Sequence, residues 1–111
     1  MPIYITQGRY TRDAIKGMII KPEDRADPLA RMLSKVGGKL LGYYLTFGEY
    51  DFLTVAEVPN DSQMAAVLLA AGSSGGVTDL KTTVAMTSVE AKGAFAAAGD
   101  LAPGYKSAGG A

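Results

Sequence analysis

The chain has 111 residues, 48% of them hydrophobic, with eleven basic and eleven acidic side chains and no His, Cys or Trp. A chain of this length forms one domain that buries roughly two-thirds of its unfolded surface, enough for a core without covalent staples. The missing cysteines exclude disulfide scaffolds, thiolate catalysis, zinc ribbons and iron–sulfur ligation; the missing histidines exclude a Ser-His-Asp relay, His-bound haem and the usual zinc and copper sites. No metal site and no cofactor is expected.

A net charge of zero without a basic block leaves no field to steer the chain onto nucleic acid or anionic lipid, so neither is an expected partner. Met1–Thr6 has no basic or apolar targeting region, and no run approaches the roughly 20 apolar residues of a membrane span. The expected setting is the cytoplasm, for a small domain of bacterial type.

In chain order, Pro2 to Arg9 alternates Ile3, Ile5 and Gln7 with Tyr4, Thr6 and Gly8, which predicts a first strand. Thr11 can cap a helix running to about Ile19, with Asp13 in its first turn. Pro22-Glu23-Asp24 reads as another helix start, with Pro28 at a kink or at the true start, and Leu29, Met32, Leu33 and Val36 at helical spacing. Gly37 and Gly38 end it. Leu40–Phe47 and Phe52–Val58 form a hairpin across Gly48-Glu49-Tyr50-Asp51. Pro59–Ser62 stops the strand and caps a helix with Met64, Val67, Leu68 and Ala71 on one stripe, closed by Gly72. Val77–Met86 is a fourth strand, with Leu80, Thr82, Val84 and Met86 on one face. Thr87 and Glu90 fit a capping box for a last helix to about Ala98.

Strand, helix, strand, strand, helix, strand is the order of a ferredoxin-like βαββαβ sandwich of the α+β class: a four-stranded antiparallel sheet with two helices on one face. Residues 1–98 form that domain, and the Gly/Ala-rich residues 99–111 are expected to be a flexible tail.

Two helices leave the other sheet face open. Strict alternation divides the strands into Ile3, Ile5, Tyr43, Leu45, Phe47, Leu53 and Val55, and a second set of Tyr4, Thr6, Gly42, Tyr44, Thr46, Phe52, Thr54, Ala56 and Val58, which holds no charge. An uncharged open face predicts a homodimer with stacked sheets, built on Tyr4, Thr6, Tyr44, Thr46, Thr54 and Ala56, with a higher oligomer left open.

The stretches Pro2–Thr11, Gly37–Asp51 and Val58–Asp61 together resemble the GYD domain family, named for the Gly, Tyr and Asp that here fall at Gly48, Tyr50 and Asp51, with Glu49 interposed. The resemblance spans about residues 2 to 95. It implies the dimeric α/β-barrel relative of the ferredoxin fold, and it implies no particular activity, since the family's function is generally uncharacterised.

The candidate ligand-binding residues are Arg9, Tyr10, Lys16, Tyr43, Tyr50 and Asp51. Tyr50 and Asp51 could hold a polar ligand or exchange protons, although Asp and Gly also serve in turns by satisfying backbone N–H groups. Arg9, Tyr10 and Lys16 lie where the first helix begins and could meet an anion, or form a solvated rim. Tyr43 and Tyr44 point to opposite faces, so one of them at most lines a given cavity. Ser73–Gly76 lacks the Gly-Lys-Ser/Thr ending of a phosphate loop, and Asp24 with Asp27 is accounted for by helix-start electrostatics. Glu57 is a charge in an apolar strand that fits a pocket or an ordinary strand end.

Three functions remain open: a homodimeric binder of a small organic ligand or stress-related accessory protein; a cofactor-independent enzyme, monooxygenase- or isomerase-like as the resemblance to dimeric α/β-barrel proteins implies, with Asp51, Tyr50 or Tyr10 moving protons; and a structural assembly unit. A cavity of a few hundred cubic ångströms between sheet and helices, lined by Tyr and a charge or two, favours the first two. A filled core favours the third.

Overall fold

A computed structural model describes residues 1–110. Strand β1 (Ile3–Tyr10) leads through helices α1 (Arg12–Ile20) and α2 (Ala26–Ser34) to the hairpin β2 (Lys39–Leu45) and β3 (Phe52–Glu57). Helix α3 (Asp61–Ser73) and strand β4 (Val77–Ala85) follow, then α4 (Ser88–Leu101) and a 3₁₀ turn at Ala102–Gly104. The strands lie in the order β2-β3-β1-β4, every neighbouring pair antiparallel, so the fold is ferredoxin-like α+β.

The capping chemistry sets the helix boundaries. Thr11 Oγ1 accepts from Ala14 N, and Asn60 Oδ1 accepts from Gln63 N. Thr87 and Glu90 close the expected capping box. Helix α2 starts at Ala26 rather than at Pro22, because the Asp24 carboxylate receives the Ala26 N–H; Pro28 then sits in the first turn, where its missing N–H costs nothing. Its end is as expected: Gly37 adopts φ +74°, and a Cβ on Gly38 would stand 2.7 Å from the Glu57 carbonyl oxygen. Helix α3 passes through Gly72, with Ser73 and Ser74 hydroxyls donating to the Ala70 and Ala71 carbonyls, and the reversal comes at Gly75, φ +80°.

The two sheet faces are the reverse of the sequence expectation. Tyr4, Thr6, Thr54 and Ala56 face the helices and are buried with Leu33, Val58, Met64 and Val67, so they cannot meet a second sheet. Uncharged residues are what a core requires, and their lack of charge marked the wrong face as open. In β2 the register slips at Leu41: Leu40 pairs with Ala56, but Gly42 pairs with Val55 and Tyr43 with Thr54. One extra residue turns every following side chain over, which sends Tyr43 to the helix side and Tyr44 to the open side. Thr46 belongs to the hairpin turn, its hydroxyl donating to the Tyr50 carbonyl. The open face instead carries Ile3, Ile5, Leu53 and Val55 at its centre, with Tyr44 and Thr83 beside them.

In the core, the Tyr4 hydroxyl donates to Asp61 Oδ1 at 2.5 Å, tying β1 to the first turn of α3. Helix α2 lies over β2 and α3 over β4. Helix α4 behaves differently. It continues past Ala98 into the segment expected to be a tail, and none of its residues is buried.

Candidate functional site

The β2–β3 turn is fastened to the end of β1 by the residues that sequence singled out. Gly48 takes φ +132°, a conformation that side chains resist. Asp51 N donates to the Gly8 carbonyl at 2.8 Å, and the Asp51 carboxylate receives the Tyr10 N–H at 2.9 Å. Arg9 lies over the Tyr50 ring, 5.0 Å from its centre, while donating to the Glu49 carbonyl and pairing with Asp79 at 3.1 Å. This cluster is a clasp outside the cleft, and Lys16 stands exposed on α1 away from it.

The clasp sets the position of Tyr10, and the slip at Leu41 sets that of Tyr43. Their hydroxyls meet at 2.5 Å across the helix side of the sheet. Phe52 supports both rings, 5.0 Å from Tyr10 and 5.9 Å from Tyr43 between ring centres. It can lie there because residue 8 is glycine: a Cβ at that position would be 2.6 Å from Phe52 Cζ and 2.7 Å from Leu80 Cδ2. Gly8 and Phe52 are site residues that sequence reading missed; a glycine in a strand was the only signal.

Above this floor lies a cavity of about 270 Å³, walled by Thr6, Thr54 and Leu80 from the sheet and by Leu29, Met32, Val67 and Leu68 from α2 and α3. Tyr43 and Phe52 line it as well. A second cavity of about 350 Å³ lies beside α1, bounded by Tyr10, Ala14, Met18, Lys21 and Glu23. Arg25, Ser74 and Val77 border both, so the two adjoin, and the Arg25 guanidinium pairs with Glu23 at 2.8 Å.

Burial first, and then the hydrogen bond to Tyr10, push the Tyr43 phenol well above its ordinary range, against the opposing pull of Arg25. The hydroxyl therefore stays protonated at neutral pH. Two phenols carry two O–H groups and their mutual bond uses one, so one O–H is free for a third group.

Of the six sequence candidates, Tyr10 and Tyr43 are brought together in the cleft. Arg9, Tyr50 and Asp51 form the clasp behind it, and Lys16 joins neither cavity. The profile of the GYD domain matches residues 4–95. The chain belongs to the GYD domain family. In this GYD domain the signature residues are thus turn and clasp residues, one step behind the cavity wall.

No curated protein sequence matches the chain significantly. Among solved structures, it is similar to TTHA0845 from Thermus thermophilus, with TM-score 0.51 and 16% identity over 79% of this chain and 96% of that one. It is also similar to FFRP-DM1, TM-score 0.49 and 13% identity over 78% and 100% of the two chains. A hypothetical protein from Pyrococcus horikoshii, PHS023, gives TM-score 0.48 and 13% identity over 78% and 92%.

Proposed function

We propose that this GYD domain binds a small, mostly apolar organic molecule bearing an acceptor oxygen, a carbonyl or a carboxylate, in the cleft between sheet and helices. The observation that carries the reading is the Tyr10–Tyr43 pair at the edge of an apolar cavity of about 270 Å³. That volume is near the lower end of the ~300–1,000 Å³ typical of small-molecule sites, and the adjoining space extends it. The free phenol O–H would donate to the ligand oxygen, and Arg25 would face an anionic one. A phenol held protonated suits a donor better than a base, which favours binding over the enzyme reading. The unfilled cleft favours it over a purely structural role.

The same reading makes the protein a homodimer through the open sheet face. Ile3, Ile5, Leu53 and Val55, each half-buried, form an uncharged centre there, and among the described residues no helix packs over them.

Native mass spectrometry of protein purified gently from its host tests both parts. A discrete added mass, lost in Tyr10→Phe/Tyr43→Phe, is the expected result, carried on a dimer that Val55→Arg dissociates. An added mass that persists in the double variant would sink the cleft as the site, and a monomer would sink the sheet-face dimer.

A further inference from the structure

We propose that α4 is an intermolecular arm, seated on a second copy of this chain. The inference rests on the homodimer reading above and adds to it the element that makes the contact large enough.

Helix α4 lies apart from the body. Two residues separate it from β4, and among the described residues it packs substantially only on the 3₁₀ turn that follows it. The chain therefore spreads to 63 Å in its longest dimension with a radius of gyration of 18.1 Å, against about 13 Å for a compact domain of this length. Ala91, Ala94, Phe95, Ala98 and Leu101 recur at helical spacing, and Val89, Phe95 and Leu101 are 79%, 78% and 73% exposed. The strand leading into the helix is bare too, with Val84 61% and Met86 58% exposed on the side where α3 covers the rest of β4.

A helix of this kind needs a cover. Helices below about 12–15 residues are marginal alone in water, and Gly93 and Gly99 weaken this one of 14 residues further. A membrane surface is a poor occupant, because an interfacial helix needs a strongly basic polar face, whereas α4 carries one Lys against Glu90 and Asp100.

The area favours a second copy. Four strands of six to nine residues at about 4.8 Å spacing give an open face of about 450 Å². That is short of the ~800 Å² per partner of a stable interface. An arm about 21 Å long and 10 Å across adds about 200 Å², and the surface it covers on the other copy adds as much again. Each copy then contributes about 850 Å², which reaches the requirement. Two-fold symmetry makes the exchange reciprocal, so neither arm is left bare.

Two measurements on the full chain test this. Benzoylphenylalanine in place of Phe95, irradiated at low micromolar concentration, is expected to give a covalent product of dimer mass. In sedimentation equilibrium, Phe95→Asp/Leu101→Asp is expected to raise the dimer dissociation constant at least about tenfold, with the far-ultraviolet circular dichroism of the body unchanged. A dimer whose irradiated product stays monomer-sized, or whose constant moves less than about threefold in the double variant, overturns the arm and leaves the sheet-face dimer standing. A wild-type monomer overturns both.

Discussion

The Asp51 carboxylate accepts the backbone N–H of Tyr10 at 2.9 Å, so a residue in the hairpin turn sets the end of the opposite strand. Tyr10 is the last residue of β1, two residues past the end of its pairing with β3, and its phenol reaches Tyr43 only if its backbone is held on that side. The turn signature and the cleft are thereby linked through one hydrogen bond. Asp51→Ala is expected to cost about 1–2 kcal/mol by leaving that N–H without its charged partner, while Asp51→Asn, which keeps an acceptor oxygen, costs less. Urea unfolding of the two variants checks the order; equal losses would mean that the Asp51 side chain does not hold Tyr10.

Gly8 makes a separate prediction from steric contact alone. A methyl group added there would lie 2.6 Å from the Phe52 ring and 2.7 Å from a Leu80 methyl, both packed. Gly8→Ala should therefore displace the ring and cost about 1–3 kcal/mol despite the better strand propensity of Ala. The same displacement should disturb the Tyr10 and Tyr43 rings packed on Phe52, visible as changed near-ultraviolet circular dichroism. An unperturbed tyrosine spectrum in a fully stable Gly8→Ala protein would contradict the packing of the floor.

Asp79 tests whether the bulge in β4 is strain or design. It is a non-glycine residue at φ +54°, at the place where β4 slips register against β1 between Gln7 and Arg9. Asp tolerates this conformation better than most side chains, and its carboxylate pairs with Arg9 in an exposed position. Asp79→Gly is expected to be within about 1 kcal/mol of wild type, the relieved backbone offsetting the lost surface pair. Asp79→Val, which cannot adopt the conformation cheaply, should cost about 1–2 kcal/mol. Chemical denaturation of the pair decides it, and a Val variant as stable as the Gly one would show that the backbone relaxes freely.

Local chemistry was legible in the sequence wherever it acts within a few residues. Thr11, Asn60 and the Thr87–Glu90 box cap their helices, Gly37 ends α2, and the order of strands and helices was enough for the fold. Face assignment was not legible, because it depends on what lies across from a strand. Thr6 and Thr54 read as part of a dimer surface, yet both are core residues, and Thr6 satisfies its hydroxyl on Thr82 at 2.9 Å. The slip at Leu41 has no sequence mark, and it decides which of Tyr43 and Tyr44 enters the cleft. Tyr10 and Tyr43 were both nameable; their meeting was not.

The phenols also fix how stability responds to alkali. Tyr4 donates to the Asp61 carboxylate; this bond first, with burial and the Asp61 charge, raises its pKa from 10.0 to about 12. Tyr43 is displaced in the same direction by burial and by Tyr10. The folded state thus holds these protons more tightly than the unfolded chain. Their contribution to stability is full below pH 10; that of Tyr4 is lost as pH rises through about 12, and that of Tyr43 is lost later still. Urea midpoints should be level through the neutral range and fall steeply above pH 10, and the fall should be shallower in Tyr4→Phe, which has one fewer phenol to ionise. Absorbance of tyrosinate gives the complementary reading, with Tyr4 and Tyr43 titrating late, together with unfolding. Were all the tyrosines to ionise in one step near pH 10 while the protein stayed folded, neither the Tyr4–Asp61 bond nor the buried Tyr43 could be as described.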